Sequence, residues 1–303
     1  MTIDVVYTWV DMTDPVWLAK YLAIVPAEEM PHYNRFGNFG ELCFSVRTVR
    51  KFAPFVRNIF IVTDNQIPRE FSKDDWEKYG ITIVSHDDIF GPECCRPTFK
   101  SNSIEAYLHK IDGLSEIFWY FNDDTFLANH ISKKMLDYRN VIDFFPKKIS
   151  VSKKTPKIEG WRWGIYNARK LIEHKFGKSG KSTNLSFTHQ ATLMSKKACR
   201  LTWKLFKPEL SKSVSYPLRK PYQDTVHFVL LSQLVAIEKG YFKARTRIPF
   251  KMMSLNVNTE ENAKKNFDLI RQRKPHFACV NNLTPETAKY FEKFSQKYLL
   301  EFK

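Results

Sequence analysis

The sequence lacks the cysteine spacing of a disulfide scaffold or of a structural zinc site. Its five cysteines are odd in number and scattered, and no Cys-x-x-Cys pair occurs. Disulfide-stapled folds and zinc sites depend on regular spacing, whereas scattered thiols are typical of a reducing compartment. We therefore expect a protein of such a compartment, with the adjacent Cys94 and Cys95 as ordinary thiols.

The sequence also lacks the residue patterns that are typical of targeting segments and of membrane helices. The first residues lack the basic and apolar regions of a signal peptide. No uninterrupted apolar run approaches the roughly 20 residues that a membrane helix needs. These absences predict a cytoplasmic protein, or one held peripherally on the inner face of the plasma membrane.

Two common nucleotide motifs do not occur either. The chain has no Gly-x-Gly-x-x-Gly, and the run at 177–182 lacks both the spacing of a Walker loop and a preceding strand. A dinucleotide site or a P-loop is therefore not expected.

What the chain does contain is a large apolar fraction and an excess of positive charge. Hydrophobic residues make up 43% of the 303 residues, enough for one large domain with an aromatic-rich core. Lys and Arg number 48 against 32 Asp and Glu, giving a formal charge of +16. Such a charge attracts polyanions, which leaves nucleic acid, anionic lipid and an acidic polymer as alternatives.

Apolar runs alternate with helical patterns through the first 128 residues. Strands are predicted at 3–11, 58–64, 81–85 and 117–127, with helices at 40–53 and 101–113. This alternation predicts an α/β fold with a mainly parallel sheet flanked by helices. The lysine-rich residues 129–185 are interpreted as an inserted basic lobe or lid. Within 186–303 we expect helices at 193–206, 226–240 and 284–302, and a short strand at 274–282.

The stretch at 117–127 carries the strongest chemical signal. An aromatic run ends in Asn122, Asp123 and Asp124. Open α/β sheets bind ligands at the carboxyl ends of their strands, where two carboxylates are suitable ligands for Mg²⁺ or Mn²⁺ holding a diphosphate. The alternative is a simple turn, since Asn and Asp favour turns. Asp11, at the end of the first strand, presents the same choice between a ligand contact and a turn.

Isolated polar residues later in the chain carry little signal by themselves. Glu105 lies four residues before His109 and would share a helix face with it. His189 precedes a predicted helix, and Arg219 lies between two prolines ahead of another. A packed histidine and a solvated arginine are the ordinary interpretations of the last two.

Several long segments together resemble one family. The matching segments lie at 4–11, 40–42, 45–47, 53–68, 85–90, 97–101, 104–105, 114–116 and 122–124, with shorter ones around 189 and at 273–274 and 279–281. They resemble the Stealth family, which includes bacterial capsular polysaccharide enzymes and the lysosomal-enzyme GlcNAc-1-phosphotransferase of animals. Two departures are Cys43-Phe44, where a basic residue and tyrosine are usual, and Asn282, where Asp is common.

The resemblance implies a hexose-1-phosphate transferase with a glycosyltransferase-A-like core. It would transfer a sugar 1-phosphate from a UDP-sugar, with a UDP-GlcNAc-like donor favoured, to a hydroxyl of an anionic glycan acceptor, and release UMP. Capsule synthesis and peripheral contact with the membrane or capsule machinery are implied, and a nucleic-acid partner is not. The implied metal ligands for Mg²⁺ or Mn²⁺ are Asp123 and Asp124. The implied catalytic residues are Glu105, Asp124, His189 and Arg219, and the implied nucleotide-binding residues are Trp9, Asp11, Arg47, Asn65 and Asn281.

The implied domain is one catalytic unit in three parts. Residues 1–128 would bind the nucleotide sugar, 129–185 would form the basic insertion, and 186–303 would supply the second catalytic half. A metal-dependent glycosyltransferase that releases UDP stays open as an alternative. A nucleic-acid-binding protein would explain the charge, but the sequence has no helix-turn-helix, zinc-finger or RNA-recognition signature.

Overall fold

The computed structural model describes residues 2–25, 31–136, 144–145, 160–177, 186–187, 191–219, 222–243 and 252–301. Within these ranges the strands are β1 Asp4–Thr8, β2 Ile59–Thr63, β3 Ile81–Ser85, β4 Ile117–Asn122, β5 Thr125–Leu127, β6 Phe144–Phe145, β7 Ser186–Phe187, β8 Thr192–Ser195, β9 Met252–Asn256 and β10 Phe277–Asn281.

The helices lie between and after these strands. They are α1 Pro15–Leu22, α2 Tyr33–Phe36, α3 Glu41–Phe52, α4 Lys73–Lys78, α5 His86–Ile89, α6 Ser101–Glu105, α7 Gly160–Phe176, α8 Lys196–Leu205, α9 Lys207–Val214, α10 Phe228–Glu238, α11 Glu260–Arg273 and α12 Pro285–Leu300. None of the described helices is both long and apolar enough to cross a bilayer.

A five-stranded sheet in the order β3-β2-β1-β4-β8 forms the centre of the fold. The first four strands run parallel, and β8 is antiparallel to β4 at the edge. Apolar β-branched and aromatic side chains dominate these strands because both faces of the sheet are covered. The predicted α/β architecture with a mainly parallel sheet is confirmed.

Alternating side chains of β1 show how the two faces are filled. Val5 and Tyr7 lie in the apolar cluster formed with α3, α11 and α12. Val6 lies in the opposite cluster, formed with α7, α8 and α10. This period of two is the expected consequence of strand geometry. The sheet is therefore held rigidly between two helical layers.

A smaller sheet in the order β5-β10-β9 lies beside the first. β10 is antiparallel to β5 and parallel to β9. The single strand predicted at 117–127 is thus two strands in different sheets, because the chain turns at Asp123 and Asp124. The late strand predicted at 274–282 is present as β10.

Two predicted helices differ in extent from the observed ones. The helix expected at 101–113 ends at Glu105, and the indole of Trp203 donates to the Ala106 carbonyl at 2.7 Å, near a short 3₁₀ turn at 108–110. Glu105 and His109 therefore do not lie on one continuous helix. The helix expected from Leu193 begins only at Lys196, because the preceding residues extend the sheet as β8.

The division into three parts stays a prediction. Much of 129–185 lies outside the described residues, but α7 is described, and it buries Ile165, Ala168 and Ile172 in the same apolar cluster as α10.

Candidate active site

The ends of three neighbouring parallel strands meet at one edge of the central sheet. Thr8 of β1 pairs with Val62 of β2 on one side and with Asn122 of β4 on the other. The residues that follow these strands therefore emerge at the same edge. They are 9–11 after β1, 64–66 after β2, and Asp123 and Asp124 after β4.

Asp123 and Asp124 form a tight acidic turn. The backbone N–H of Asp124 donates to Asp123 Oδ1 at 3.1 Å, and the Thr125 hydroxyl donates to Asp124 Oδ1 at 3.3 Å. The smaller sheet supports the turn, since the Val280 N–H donates to the Asp124 carbonyl at 3.0 Å and Cys279 Sγ lies 3.3 Å from Asp124 Oδ2. Backbone and side chain of Asp124 are therefore both held in place.

Glu41 is a third carboxylate at this turn, and the sequence analysis missed it. It is the first residue of α3, is 8% exposed, and accepts a hydrogen bond from the Phe39 N–H at 2.7 Å. Burial, with added repulsion from the carboxylates of Asp124 and Glu70, raises the pKa of Glu41 to about 7. Burial likewise raises the pKa of Asp123 well above its ordinary value, with added repulsion from Asp124 and Glu41.

The helix that carries Glu41 is tied directly to the acidic turn. Ser45, one turn further along α3, donates to the Thr125 carbonyl at 2.6 Å, and its hydroxyl lies 2.7 Å from that of Tyr7. These buried bonds join α3, β1 and β5. A sequence pattern of Gly40 followed by Glu41 indicates only a helix start, which is why Glu41 was not assigned to the site.

The acidic residues fit a hard divalent cation that is also bound by other oxygens. Among the described residues, no group of three His, Cys, Asp or Glu side chains is arranged to hold a metal ion. Asp123, whose pKa is raised, and the adjacent Asp124 nevertheless concentrate negative charge at the sheet edge. Mg²⁺ commonly uses one or two carboxylates and takes its other ligands from water and phosphates.

Glu105 is connected to the acidic turn through Tyr120. Glu105 is 6% exposed, and its Oε2 accepts from Asn102 Nδ2 at 3.3 Å. The buried Tyr120 hydroxyl lies 2.7 Å from Asn122 Oδ1 and 3.2 Å from Glu105 Oε1, and donates its one proton to either. Burial and the negative charge of Glu105 raise the pKa of Tyr120 well above its ordinary value, so the phenol stays protonated.

Two predicted nucleotide residues lie at the end of β1. Asp11 Oδ1 accepts from the N–H and hydroxyl of Thr13 at 2.8 and 2.7 Å, and Gln66 holds its backbone with two hydrogen bonds. Trp9 is 6% exposed and packs in the core, with an indole N–H that has no partner among the described residues. Asn65, after β2, is exposed and adopts a left-handed conformation with φ of 58°.

Asn281 and Arg47 are placed differently with respect to the turn. Asn281 ends β10, where its Nδ2 donates to Ser254 at 2.9 Å and its Oδ1 lies 3.5 Å from Cys279 Sγ, whose one proton is donated either to it or to Asp124. It is thereby linked to Asp124 through Cys279. Arg47 is exposed on α3 and lines a cavity of about 400 Å³ between α3 and α12. No described contact joins Arg47 to the acidic turn.

Of the remaining predicted catalytic residues, His189 lies outside the described residues. Arg219 is described, in the loop between α9 and α10. Its carbonyl accepts from the Thr225 hydroxyl at 3.1 Å, and its buried Nε has no hydrogen-bond partner within the described part of the chain.

Comparison with protein families gives two matches. Residues 1–26 match the model of Stealth protein CR1, conserved region 1, and residues 35–143 match Stealth protein CR2, conserved region 2. The second region contains Glu41, Glu105, Asp123 and Asp124.

Similar curated proteins are named as polysaccharide phosphotransferases. The capsular polysaccharide phosphotransferase of Actinobacillus suis is 32% identical over 300 residues, covering 94% of this chain and 78% of that protein. The capsular polysaccharide phosphotransferase of Neisseria meningitidis serogroup B is 30% identical over 312 residues, covering 99% of this chain and 80% of that protein. An exopolysaccharide phosphotransferase of Streptomyces coelicolor is 34% identical over 226 residues, but this chain spans only 23% of its length.

Two solved structures to which the chain is similar are glycosyltransferases. The galactosyltransferase LgtC, in complex with donor and acceptor sugar analogs, has a TM-score of 0.43 at 10% identity and covers 97% of this chain and 96% of its own. The bifunctional glycosyltransferase WbbM, in its apo form, has a TM-score of 0.45 at 10% identity and covers 99% and 51%.

Two family regions match the first half of the chain, and relatives at 30 to 32% identity match it along nearly its whole length. The chain belongs to the Stealth family.

Proposed function

We propose that this protein transfers a sugar 1-phosphate from a UDP-sugar to a hydroxyl of a glycan acceptor, releasing UMP and forming a phosphodiester in capsular polysaccharide synthesis. The observation that carries the proposal is the acidic turn, Asp123 and Asp124, at the carboxyl ends of the central strands in a member of this family. That edge is where open α/β sheets bind nucleotides.

Asp123 and Asp124 are the residues proposed to hold Mg²⁺ or Mn²⁺. Burial and repulsion from Asp124 and Glu41 raise the pKa of Asp123 well above its ordinary value, and a divalent cation at the turn would offset this concentration of negative charge. When bound, such an ion supplies charge neutralisation at the phosphates.

The proposed reaction makes one bond and breaks one bond at the β-phosphorus. The acceptor oxygen bonds to the β-phosphorus while the bond between that phosphorus and the bridging oxygen breaks. UMP leaves with the bridging oxygen. His189 is proposed to take the acceptor proton, since an imidazole titrates near neutral pH. Glu105 would orient that base or act as the base itself, held by Tyr120 and Asn102. Arg219 would bind a non-bridging oxygen.

The test is an analysis of products. The protein is incubated with Mg²⁺, a panel of UDP-hexoses and UDP-hexosamines, and capsule-type oligosaccharides. We expect UMP together with a phosphodiester ³¹P signal in the glycan. Release of UDP without that signal would mean an ordinary glycosyltransferase and would refute the proposal. Asp124→Asn should abolish turnover, whereas the exposed Glu77→Gln on α4 should retain it.

A further inference from the structure

Three basic residues lie on backbone segments that meet at one apolar cluster beside α6. Lys100 is the residue that precedes this helix, Arg35 lies in α2, and Arg219 lies in the loop before α10. Each is next in sequence to a residue of one apolar cluster, which consists of Met12, Trp17, Tyr21, Val25, Phe36 and Phe99 with Leu218 packed against it. The three backbone segments are therefore fixed relative to one another.

The apolar cluster is tightly packed. The Trp17 ring centroid lies 5.2 Å from that of Phe36 and 5.1 Å from that of Phe99. The Phe99 N–H donates to the Pro217 carbonyl at 2.8 Å, which ties the segment of Lys100 to the loop of Arg219. Aromatic contacts of this kind give a rigid platform.

The positive charge of Arg219 acts on both Arg35 and Lys100. Burial, together with the positive charge of Arg219, lowers the pKa of Arg35 to about 10, although the residue is exposed by its surface area. Lys100 is completely buried. Burial lowers the pKa of Lys100 to about 8, with Arg219 again contributing. Like charges that lower one another's pKa in this way are costly to bury unless an anion offsets them.

Within the described ranges, the chain does not supply that anion. None of the described ion pairs includes Arg35, Lys100 or Arg219. Lys100 Nζ donates to the Ser213 carbonyl. The Asp224 carboxylate acts on Lys100, but it already pairs with Lys212 at 2.9 Å and accepts from the Tyr216 hydroxyl at 3.2 Å. The buried Nε of Arg219 is a donor that has no partner among the described residues.

We propose that Arg35 and Lys100 join Arg219 in an oxyanion site that binds a phosphate group of a substrate. Guanidinium groups match the geometry of phosphate oxygens, and a buried ammonium adds a point charge beneath them. Glu105, at the other end of α6, is five residues from Lys100, or about 7.5 Å along the helix axis at the usual rise. The site therefore borders the catalytic residues.

The bound phosphate has two sources under the proposed function, on which this inference rests. It belongs either to the diphosphate of the nucleotide-sugar donor or to a phosphodiester of the anionic acceptor. Both present the same tetrahedral oxyanion.

The test is calorimetric binding at fixed low salt, which does not depend on the products of the reaction. Wild type, Arg35→Gln and Lys100→Met are titrated with UDP, with pyrophosphate and with a phosphodiester-linked oligosaccharide. Arg200→Gln is the matched control, because Arg200 is a surface residue on α8 paired with Glu116. Thermal melting verifies that each variant is folded, and Arg35→Gln carries the conclusion if Lys100→Met does not fold.

We expect Arg35→Gln to weaken the binding of one ligand class by roughly tenfold, which is about 1.4 kcal/mol. Weakened UDP and pyrophosphate binding assigns the site to the donor, and weakened oligosaccharide binding assigns it to the acceptor. Binding of all three ligands within about twofold of the Arg200→Gln control, or no binding by wild type, would overturn the inference. A protein that released UDP would refute the proposed reaction while leaving this phosphate site intact.

Discussion

Glu41→Gln should make the protein more stable at alkaline pH, with little effect at acidic pH. In the native protein Glu41 holds its proton up to about pH 7, whereas an unperturbed glutamate loses it near pH 4.5. Between these values the native state binds more protons than the unfolded chain, so the free energy of unfolding falls as pH rises. Glutamine keeps the oxygen that accepts from the Phe39 N–H but carries no charge.

The size of this stability change follows from the difference between the pKa values of Glu41 in the native and unfolded states. At about 1.4 kcal/mol per pH unit, the interval from 4.5 to about 7 amounts to about 3 kcal/mol. Because Glu41 is only 8% exposed, solvent screens little of this cost. We therefore expect the free energy of unfolding of the variant to exceed that of wild type by about 3 kcal/mol at pH 8 and to equal it near pH 4.5.

Urea unfolding followed by circular dichroism, in EDTA, measures this difference at several pH values. Glu77→Gln, an exposed residue of α4, is the control and should show no pH-dependent difference from wild type. Added Mg²⁺ should reduce the difference in free energy of unfolding between Glu41→Gln and wild type at pH 8, since a cation at the acidic turn favours ionised Glu41. The reasoning is refuted if the difference in free energy of unfolding between Glu41→Gln and wild type changes by less than about 0.5 kcal/mol from pH 4.5 to pH 8.

Three further substitutions test other parts of the structure. Asp4→Asn should lower the free energy of unfolding in urea at pH 7 by about 2 kcal/mol, because the buried carboxylate accepts from Arg57 and from two backbone N–H groups. Burial opposes ionisation of Asp4, but these hydrogen bonds outweigh burial and lower the pKa of Asp4. The stabilisation by Asp4 is therefore present above pH 4 and is lost as pH falls through the pKa of Asp4 in the folded protein. An unchanged urea midpoint at pH 7 would contradict this prediction. Asp124→Asn should reduce kcat by roughly a thousandfold and abolish any thermal shift produced by Mg²⁺, and a retained shift would remove Asp124 from the metal site. Cys279→Val should lower kcat/KM by roughly tenfold while Cys279→Ser, which keeps a donor beside Asp124, stays close to wild type; equal losses would indicate a packing role only.

The central sheet could be predicted from sequence because its strands are short, apolar and separated by clear turns. β1, β2, β3 and β4 all follow from such runs, and α3 follows from apolar residues at helical spacing. The edge strand β8 was missed because its few apolar residues lead straight into α8. β9 and α11 were also missed, since β9 is half-exposed and carries no clean alternation.

The acidic turn was found from sequence, but its surroundings were not. Asp123 and Asp124 stand out because two carboxylates follow an aromatic strand. Glu41 and Cys279 reach the turn only through the packing of α3 and β10, contacts that join residues 80 or more positions apart. Neither local periodicity nor spacing encodes such contacts, so they require the tertiary structure.

The most direct test of the proposed reaction follows the β-phosphorus of the donor. The protein is supplied with a UDP-sugar labelled with ³²P at the β position, Mg²⁺ and an oligosaccharide acceptor, with Asp124→Asn as the inactive control. Sugar-1-phosphate transfer predicts that the label enters the glycan and that unlabelled UMP is released in equal amount. Label recovered in UDP, with an unlabelled glycan that has gained the sugar, would contradict it.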